Sequence, residues 1–324
     1  MIFNISLYGS KKIYIYHSIS IKMSTNEYFI PHISDRLNVF FIKYDTVITN
    51  LLQILKASKY DVVDAYYYSK DNPPPHPRYK YTDKLYVGCI FYILKYGSTW
   101  ESFIGPIPGK QLNKRHNDYL KVDLYSRFFN ESLQKYLEHH ELKYLSIDST
   151  TINNKYCIEI KKHHPLNKNR KGIKISAIVD DIGSPLTHTI AESTKHDSII
   201  AIDNINDISK SKIIKKELDK TDGHIYLLAD KGYDSNKIKE YIQELNMKPI
   251  ISPNNRNTKN PEKKRSLTED ELKKYKNRIK IENFFAIIKR TVKVNCIYEK
   301  NIASYNGLLL MLFGSILLNR NLKK

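Results

Sequence analysis

Two acidic residues follow apolar runs of the kind that form buried β-strands. Asp148 closes the run 143–148 and Asp230 closes the run 224–230, and small, polar or turn-forming residues come next in both cases. The last residue of a buried strand emerges at the rim of its sheet, so neighbouring strands would place these carboxylates side by side. Such a pair is unfavourable without a positive charge between its members, and hard divalent cations bind oxygen ligands. The pair therefore predicts a cation site, although a single strand-end Asp is more often a turn or cap residue.

A third acid, Glu282, lies in a long predicted helix at 268–290. Tyr275, Arg278, Glu282 and Lys289 are spaced 3, 4 and 7 residues apart, which brings them within roughly 60° of one another around the helix. Glu282 is therefore presented beside cations on neighbouring turns, an arrangement that a solvated helix face with paired charges would also give. The opposite side carries a core-facing apolar stripe of Ile281, Phe284, Phe285, Ile287 and Ile288.

Three carboxylates that hold two metal ions are what phosphodiester chemistry requires. One ion activates water or a 3′-hydroxyl as the nucleophile and the other stabilises the leaving oxygen, with the ions about 3.5–4 Å apart. Mg²⁺ keeps several waters and few protein ligands, so a histidine cluster is not needed. The histidine pairs at 139–140 and 163–164 are adjacent in sequence. Adjacent side chains of regular structure cannot both point at one site, which favours a surface role for both pairs.

The N-terminal part of the chain is predicted to be mainly helical. A helix at 83–96 begins after Thr82, a favourable N-cap residue, and stops at Gly97. A basic segment that carries Lys114 and Arg115 separates it from another helix, at 123–138.

Helices around a turn with a basic member suit a helix-turn-helix-like DNA-binding domain, here at 23–140. Generic helical packing fits almost as well, and the sequence does not separate the two interpretations. Residues 1–22 are predicted to be an extension, with Met23 as an alternative start.

From about residue 141 short β-rich runs alternate with helical ones, which predicts an α/β domain at 141–324. Two strands joined by a turn at 181–183 form a hairpin. Three strands in a meander followed by helix, strand, helix, strand and helix is a ribonuclease H-like order, with a mixed five-stranded sheet and flanking helices. The predicted strands lie at 143–148, 174–180, 185–191, 224–230 and 248–252, and the helices at 197–208, 235–246 and 268–290.

The formal net charge of +19 favours a polyanionic partner, because basic side chains gain by displacing counterions from phosphates. An AT-rich coding sequence would also enrich lysine, whatever the function. Two stretches concentrate the excess: 161–174, which includes Arg170, Lys171 and Lys174, and 254–265. Alone, either stretch fits a solvated loop. Beside the carboxylates, both predict contacts with phosphates.

Cysteine spacing and hydropathy place the chain in a reducing environment without a membrane span. Cys89, Cys157 and Cys296 form no C-x-x-C pair, which argues against a zinc knuckle and a disulfide framework. The most apolar stretch, 307–318, is shorter than the roughly 20 residues that cross a bilayer, so it is predicted to be a buried core helix.

The motifs resemble those of the DDE transposases of bacterial insertion sequences. One large group of that family has the signature Tyr-x2-Arg-x3-Glu-x6-Lys, which stands complete here as Tyr275, Arg278, Glu282 and Lys289. The segment between Asp230 and Glu282 is too short for the large β-rich insertion of some relatives. Five further segments resemble parts of the family in the same order. Segment 79–100 resembles the N-terminal helical region, 147–150 the first catalytic motif and 170–185 the hairpin that follows it. Segment 196–198 resembles the turn into the first helix, and 229–235 resembles the second catalytic motif.

The resemblance implies a ribonuclease H-like fold in which Asp148, Asp230 and Glu282 bind two Mg²⁺ ions, with Mn²⁺ able to substitute. Water would cut the DNA strand at the element's end, and the freed 3′-hydroxyl would attack target DNA. Arg278 and Lys289 would contact phosphates near the cut. Tyr275 would pack by the terminal nucleotides. The family also implies a homodimer or larger assembly that joins two ends of double-stranded DNA inside the cell.

Two other functions remain open from the sequence. The first is a transposase-derived DNA-binding protein that no longer cuts, against which the intact acids Asp148, Asp230 and Glu282 speak. The second is a nuclease of the same fold that cleaves DNA without strand transfer.

Overall fold

A mixed β-sheet forms the centre of the C-terminal half in the computed structural model, which describes residues 35–58, 62–69, 73–74, 80–160, 163–164, 170–220, 224–256, 260, 262 and 264–322. The predicted extension 1–22 and Met23 lie outside these residues, as do parts of both basic stretches. The strands are β1 (Tyr144–Asn154), β2 (His163–His164), β3 (Arg170–Val179), β4 (Pro185–Glu192), β5 (Tyr226–Ala229), β6 (Lys248–Ile251) and β7 (Cys296–Ile297).

The strand order confirms the predicted ribonuclease H-like sheet. Five strands lie in the order β4-β3-β1-β5-β6. The meander β1-β3-β4 is antiparallel, and β5 and β6 run parallel to β1. Two short strands extend the sheet, because β2 pairs with the start of β3 and β7 pairs with the end of β1.

Helices precede the sheet and flank it. The predicted helix at 83–96 is confirmed: the Thr82 side chain accepts a hydrogen bond from the Leu85 amide, and Gly97 ends the helix with a left-handed φ of 82°. The helices are α1 (Asp35–Ala57), α2 (Asp83–Tyr96), α3 (Gly109–Lys121), α4 (Leu124–Leu137), α5 (Asp197–Lys210), α6 (Lys212–Asp219), α7 (Asn236–Glu244), α8 (Glu269–Tyr275), α9 (Ile279–Arg290), α10 (Val292–Asn295) and α11 (Ile302–Asn321).

The long helix predicted at 268–290 is interrupted. A 3-10 turn, Lys276–Arg278, separates α8 from α9. The Asn277 side chain donates to the Lys274 carbonyl within this tighter turn, 3.0 Å away. Most of the predicted apolar stripe is nevertheless buried, with Ile287 half-buried. The interruption therefore leaves the core-facing side of α9 intact.

The first strand is longer than predicted. The expectation that it ends at Asp148 was wrong, because antiparallel pairing with β3 continues as far as Asn153 opposite Gly172. Parallel pairing with β5, in contrast, stops at Ser146 opposite Leu228. Asp148 therefore lies inside β1 but just beyond the end of its shorter neighbour, which leaves that side of the strand open.

Helices α5 and α9 cover opposite faces of the sheet. Successive side chains of a strand point to opposite faces. On β1, Asp148 meets Arg278 at the start of α9, whereas Ser149 meets Asp197 at the start of α5. The segment 147–150, predicted to be the first catalytic motif, is therefore held from both sides of the sheet.

One continuous hydrophobic core joins the N-terminal helices to the sheet. Helix α11 packs against α4 at close range, because a Cβ atom added to Gly314 would lie 2.5 Å from Cε1 of Phe128. The division into domains at 23–140 and 141–324 stays a prediction. The two predicted domains share this core.

Helix α11 confirms the predicted core helix but not its predicted length. Among the described residues it is the one helix whose 20 residues are long and apolar enough to cross a membrane, and 72% of its apolar window is buried inside the protein. The helix is longer than its most apolar stretch, 307–318, because it begins at Ile302 and ends at Asn321. All three cysteines are free.

A buried histidine beside α11 makes stability depend on pH. The ring nitrogens of His116 lie 2.7 Å from the Tyr125 hydroxyl and 3.0 Å from the Ser304 hydroxyl. Burial lowers the pKa of His116 from its ordinary 6.5 to about 4. Between these values the unfolded chain binds a proton that the folded protein does not, so acid favours unfolding.

We expect the free energy of unfolding to fall by about 3 kcal/mol as the pH falls from above 6.5 to 4, from this histidine alone. Urea unfolding across this range measures it, and His116→Gln should flatten the dependence. The control is His139→Gln at an exposed position. Equal pH dependence in wild type and His116→Gln would contradict the prediction.

Candidate active site

The register of the sheet places Asp148 and Asp230 at the same level on neighbouring parallel strands. Tyr144 lies opposite Tyr226 and Ser146 opposite Leu228, so both acids follow two positions beyond the last pair. Asp230 caps the 3-10 turn Lys231–Tyr233, since its Oδ1 accepts from the Gly232 amide at 2.8 Å. Pairing between β1 and β5 therefore accounts for the predicted juxtaposition of Asp148 and Asp230, although Asp148 lies inside its strand.

Arg278 joins Asp148 to Glu282. Its Nη2 lies 2.6 Å from Oδ2 of Asp148, and its Nη1 lies 2.9 Å from Oε1 of Glu282. The side chains of Arg278 and Asp148 are 15% and 22% exposed, while that of Glu282 is 52% exposed. A planar cation therefore lies between two of the three predicted catalytic acids.

The electrostatics of the site follow from burial and crowding of like charges. Burial raises the pKa of Asp148, and the charges of Asp230 and Asp197 raise it further, while Arg278 lowers it. Burial lowers the pKa of Arg278, yet the carboxylates, Asp148 first among them, raise it overall. The cluster therefore gains from any cation that lies among its carboxylates.

These residues fit a divalent metal ion by the chemistry of their donors. Carboxylate oxygens are the ligands of Mg²⁺ and Mn²⁺, and the Arg278 guanidinium stands in as the positive charge. With the side chains placed this way, no group of three His, Cys, Asp or Glu among the described residues is arranged to hold a metal ion. A metal ion that took Oδ2 of Asp148 as a ligand would therefore compete with Arg278 for that oxygen.

Asp197 supports the first acid from the opposite face, and sequence reasoning missed it. It accepts a hydrogen bond from the Ser149 hydroxyl and pairs with Lys174, whose Nζ lies 3.0 Å from its Oδ1. Lys174 also donates to the Lys195 carbonyl at 2.9 Å and is 12% exposed. Lys174, predicted to contact DNA, is thus engaged within the protein. An acid at the start of a helix gave no local sign of this long-range pair.

Tyr233 is a second residue that the sequence did not single out. It is buried within the turn that follows Asp230. Burial raises its pKa well above the ordinary value, and the nearby charges of Asp148 and Asp197 raise it further. A neutral hydroxyl therefore faces the acidic cluster.

The remaining signature residues lie along the same helical rod. Tyr275 is half-buried, and burial raises its pKa. Lys289 is exposed on the last turn of α9. Tyr275 therefore lies by the acids, whereas Lys289 is free to meet solvent or a ligand further along the helix.

The other predicted DNA contacts differ in how available they are. Lys114 is exposed on α3, but the Arg115 guanidinium pairs with Asp83 at 3.4 Å and lies over the ring of Tyr86. The backbone places Arg170 and Lys171 at the start of β3, opposite β2. Their side chains lie outside the described set. Lys114 is therefore the exposed member of the N-terminal pair.

Removing the Arg278 guanidinium should strengthen the binding of a divalent metal ion. We expect Arg278→Ala to bind Mn²⁺ about tenfold more tightly at neutral pH, because a charge-assisted contact worth roughly 1.5–3 kcal/mol no longer competes for Asp148. Titration calorimetry measures the affinity. Arg290→Ala, at an exposed position of the same helix, is the control. Unchanged or weaker Mn²⁺ binding would show that Arg278 does not compete for the site.

The comparisons with known proteins agree with the predicted resemblance. The family model described as transposase DDE domain matches residues 140–317. A piggyBac transposase synaptic complex with hairpin DNA is 11% identical over 89% of this chain and 74% of that chain, with a TM-score of 0.49. A pre-cleavage Mos1 transpososome is 12% identical over 83% and 85%, with a TM-score of 0.27. No curated protein matches. Since both structural likenesses are weak, the match of the family model is the finding that carries weight.

Proposed function

The chain belongs to the family of transposases with a DDE domain, and we propose that it cuts DNA at the ends of a mobile element and joins those ends to target DNA. The observation that carries the proposal is the site itself. Asp148 and Asp230 lie level on neighbouring parallel strands, and Arg278 links Asp148 to Glu282. Three carboxylates at one rim of a ribonuclease H-like sheet suit phosphodiester cleavage.

Asp148, Asp230 and Glu282 would hold two divalent metal ions, Mg²⁺ or Mn²⁺. When bound, these ions would activate the attacking oxygen and stabilise the leaving oxygen. Asp148 is held for this role by its strand, and Asp230 by its hydrogen bond to the Gly232 amide. Glu282 is half-exposed and the least constrained of the three.

Arg278 balances the charge of the acids until DNA binds. Its guanidinium presents a rigid fork of donors that matches two phosphate oxygens as well as it matches carboxylates. When Arg278 turns from Asp148 to a phosphate, its own charge stays paired, and a bound metal ion would replace it beside Asp148. Lys289, which is exposed on the last turn of α9, would contact the same DNA backbone. Tyr275 would pack beside the terminal nucleotides.

Both chemical steps are substitutions at phosphorus. In the first, a water oxygen bonds to the scissile phosphorus, loses its proton, and the 3′-oxygen of the neighbouring nucleotide leaves and takes up a proton. In the second, the oxygen of that 3′-hydroxyl bonds to a phosphorus of target DNA and loses its proton, and the target's 3′-oxygen leaves and takes up a proton. No bond energy needs to be supplied from outside in the second step, because one phosphodiester replaces another.

Double-stranded DNA is the proposed partner, with two copies or more of the chain bringing two ends together. The helical domain at 23–140 would contribute Lys114, and the start of β3 would contribute Arg170 and Lys171. The piggyBac transposase complex named above is a synaptic complex with hairpin DNA, and this chain would act at DNA inside the cell.

The test uses purified protein, Mg²⁺ and a labelled duplex from the gene's own flanks, with Asp230→Ala as control. We expect cleavage at the boundary of the flanking repeats, followed by strand transfer, and neither with the control. Binding without cleavage by either protein would point to a DNA-binding relic. Cleavage without strand transfer would point to a nuclease.

A further inference from the structure

We propose that Arg256 and Lys264 bind DNA phosphates, and that Asp234 positions them by tying the described ends of the loop between β6 and α8 to the turn after Asp230. These ends, residues 252–256 and 264–265, are called the neck of the loop. The proposal rests on the proposed function, since it concerns DNA bound across the same carboxylates. It gives a role to the basic stretch 254–265, which has no role in the reaction described above.

Asp234 is an unusually well paired acid next to the catalytic turn. Its side chain is 2% exposed. Oδ1 lies 2.7 Å from Nζ of Lys239, and Oδ2 accepts from the Asn254 amide at 2.9 Å and from Nη2 of Arg265 at 2.5 Å. Asp234 itself donates its amide to the Lys231 carbonyl. One carboxylate thus ties the turn that carries Asp230 to both ends of the loop.

Asn255 links the two sides of the neck a second time, by binding the backbone of Arg265. Its side-chain amide donates to the Arg265 carbonyl at 2.8 Å, and its side-chain oxygen accepts from the Arg265 amide at 3.2 Å. This reciprocal pair mimics a two-residue strand pairing between positions ten apart. Fixing the neck reduces the conformational freedom that the loop would lose on binding.

The charges of the loop are divided between anchoring and exposure. Arg265 forms an ion pair with Asp234, whereas Arg256 and Lys264 are exposed on either side of the neck. Hydrogen bonds from Asn254 and Lys239, with the charges of Lys239 and Arg265, lower the pKa of Asp234 although burial opposes them. Asp234 therefore stays ionised, and the two exposed cations lie at the neck that it ties to the turn after Asp230.

The first experiment measures DNA binding without metal, by fluorescence anisotropy at several salt concentrations. Each phosphate contact contributes about 0.9 to the slope of log affinity against log salt. We expect Arg256→Ala/Lys264→Ala to lower this slope by about 1.8. Lys210→Ala/Lys220→Ala removes the same charge from exposed positions at the ends of α5 and α6, and should leave the slope as in wild type.

The second experiment tests the anchor by the sign of its effect. Asp234→Asn removes a negative charge, so simple electrostatics predicts tighter DNA binding. If Asp234 positions the loop, binding becomes several-fold weaker instead. Arg265→Gln releases the same anchor from its exposed partner, which is 55% exposed, and guards against misfolding of the Asp234 variant. Thermal unfolding checks that both variants are folded.

The outcomes separate this inference from the proposed function. Wild-type slopes in the double variant, or tighter binding by both anchor variants, overturn this inference even if wild-type protein cleaves DNA normally. A reduced slope and weaker binding by the anchor variants support it even if no cleavage is seen. Failure of wild-type protein to bind DNA overturns both.

Discussion

Replacing Asp148 by Asn should lower the rate of Mg²⁺-dependent DNA cleavage by roughly 10³-fold or more, because a metal-binding oxygen is worth several kcal/mol of transition-state stabilisation. Asn keeps the shape of the side chain and can still accept a hydrogen bond from Arg278. It lacks the charge that a divalent ion requires. Single-turnover cleavage of an end-containing duplex measures the effect.

The control for this prediction is Asp203→Asn, a change of the same chemistry at a half-exposed position of α5, which should cleave as wild type does. Asp148→Asn should also bind DNA with wild-type affinity or better, since a negative charge near the backbone is lost. Cleavage within tenfold of wild type would remove Asp148 from the catalytic set and contradict the proposed mechanism.

Replacing Lys293 by Met should lower the free energy of unfolding by about 3–5 kcal/mol, because it leaves a buried carboxylate without its counter-charge. Lys293 and Glu299 are 0% and 1% exposed, with Nζ 2.8 Å from Oε1. The two are at ion-pair distance, yet neither Glu299 oxygen has a well-aligned hydrogen-bond donor among the described residues. Nζ also lies 4.9 Å from the ring centroid of Trp100.

Urea unfolding of a double-mutant cycle measures the pair. Glu299→Leu should recover most of the loss in the Lys293→Met background, since two apolar groups replace two buried charges. Lys121→Met breaks an ion pair whose lysine is 75% exposed and should change the free energy of unfolding by less than about 0.5 kcal/mol. An effect of that size at Lys293 would contradict the prediction.

The junction that this pair stabilises connects the signature helix to the N-terminal helices. Lys293 lies in α10, the short helix that comes after α9, and Trp100 belongs to the loop between α2 and α3. Gly97 lies against the same segment, because a Cβ atom there would be 2.3 Å from Cβ of Val292. The position of α9, and with it that of Glu282, therefore depends on contacts that cross the predicted domain boundary.

Local sequence patterns predicted most of the helices and strands, and they predicted that Asp148 and Asp230 lie side by side on neighbouring strands. The cap at Thr82, the terminator Gly97 and the hairpin between β3 and β4 depend on neighbours in sequence, so they could be identified without the fold. The juxtaposition of Asp148 and Asp230 followed because parallel strands bring equivalent rim positions together. The length of β1 did not follow, because pairing with β3 extends it past its own apolar run.

The sequence by itself determined which acids could serve the chemistry and which elements present them, since residue type and the periods of strand and helix are local properties. Only the tertiary structure decided which cations those acids meet. Arg278 pairs with Asp148 across 130 positions, and Lys174 of β3 pairs with Asp197 at the start of α5. Arg265, one basic residue among several in its stretch, is the one that Asp234 binds. A charged side chain carries no local sign of its partner, because that choice is made by packing between distant segments.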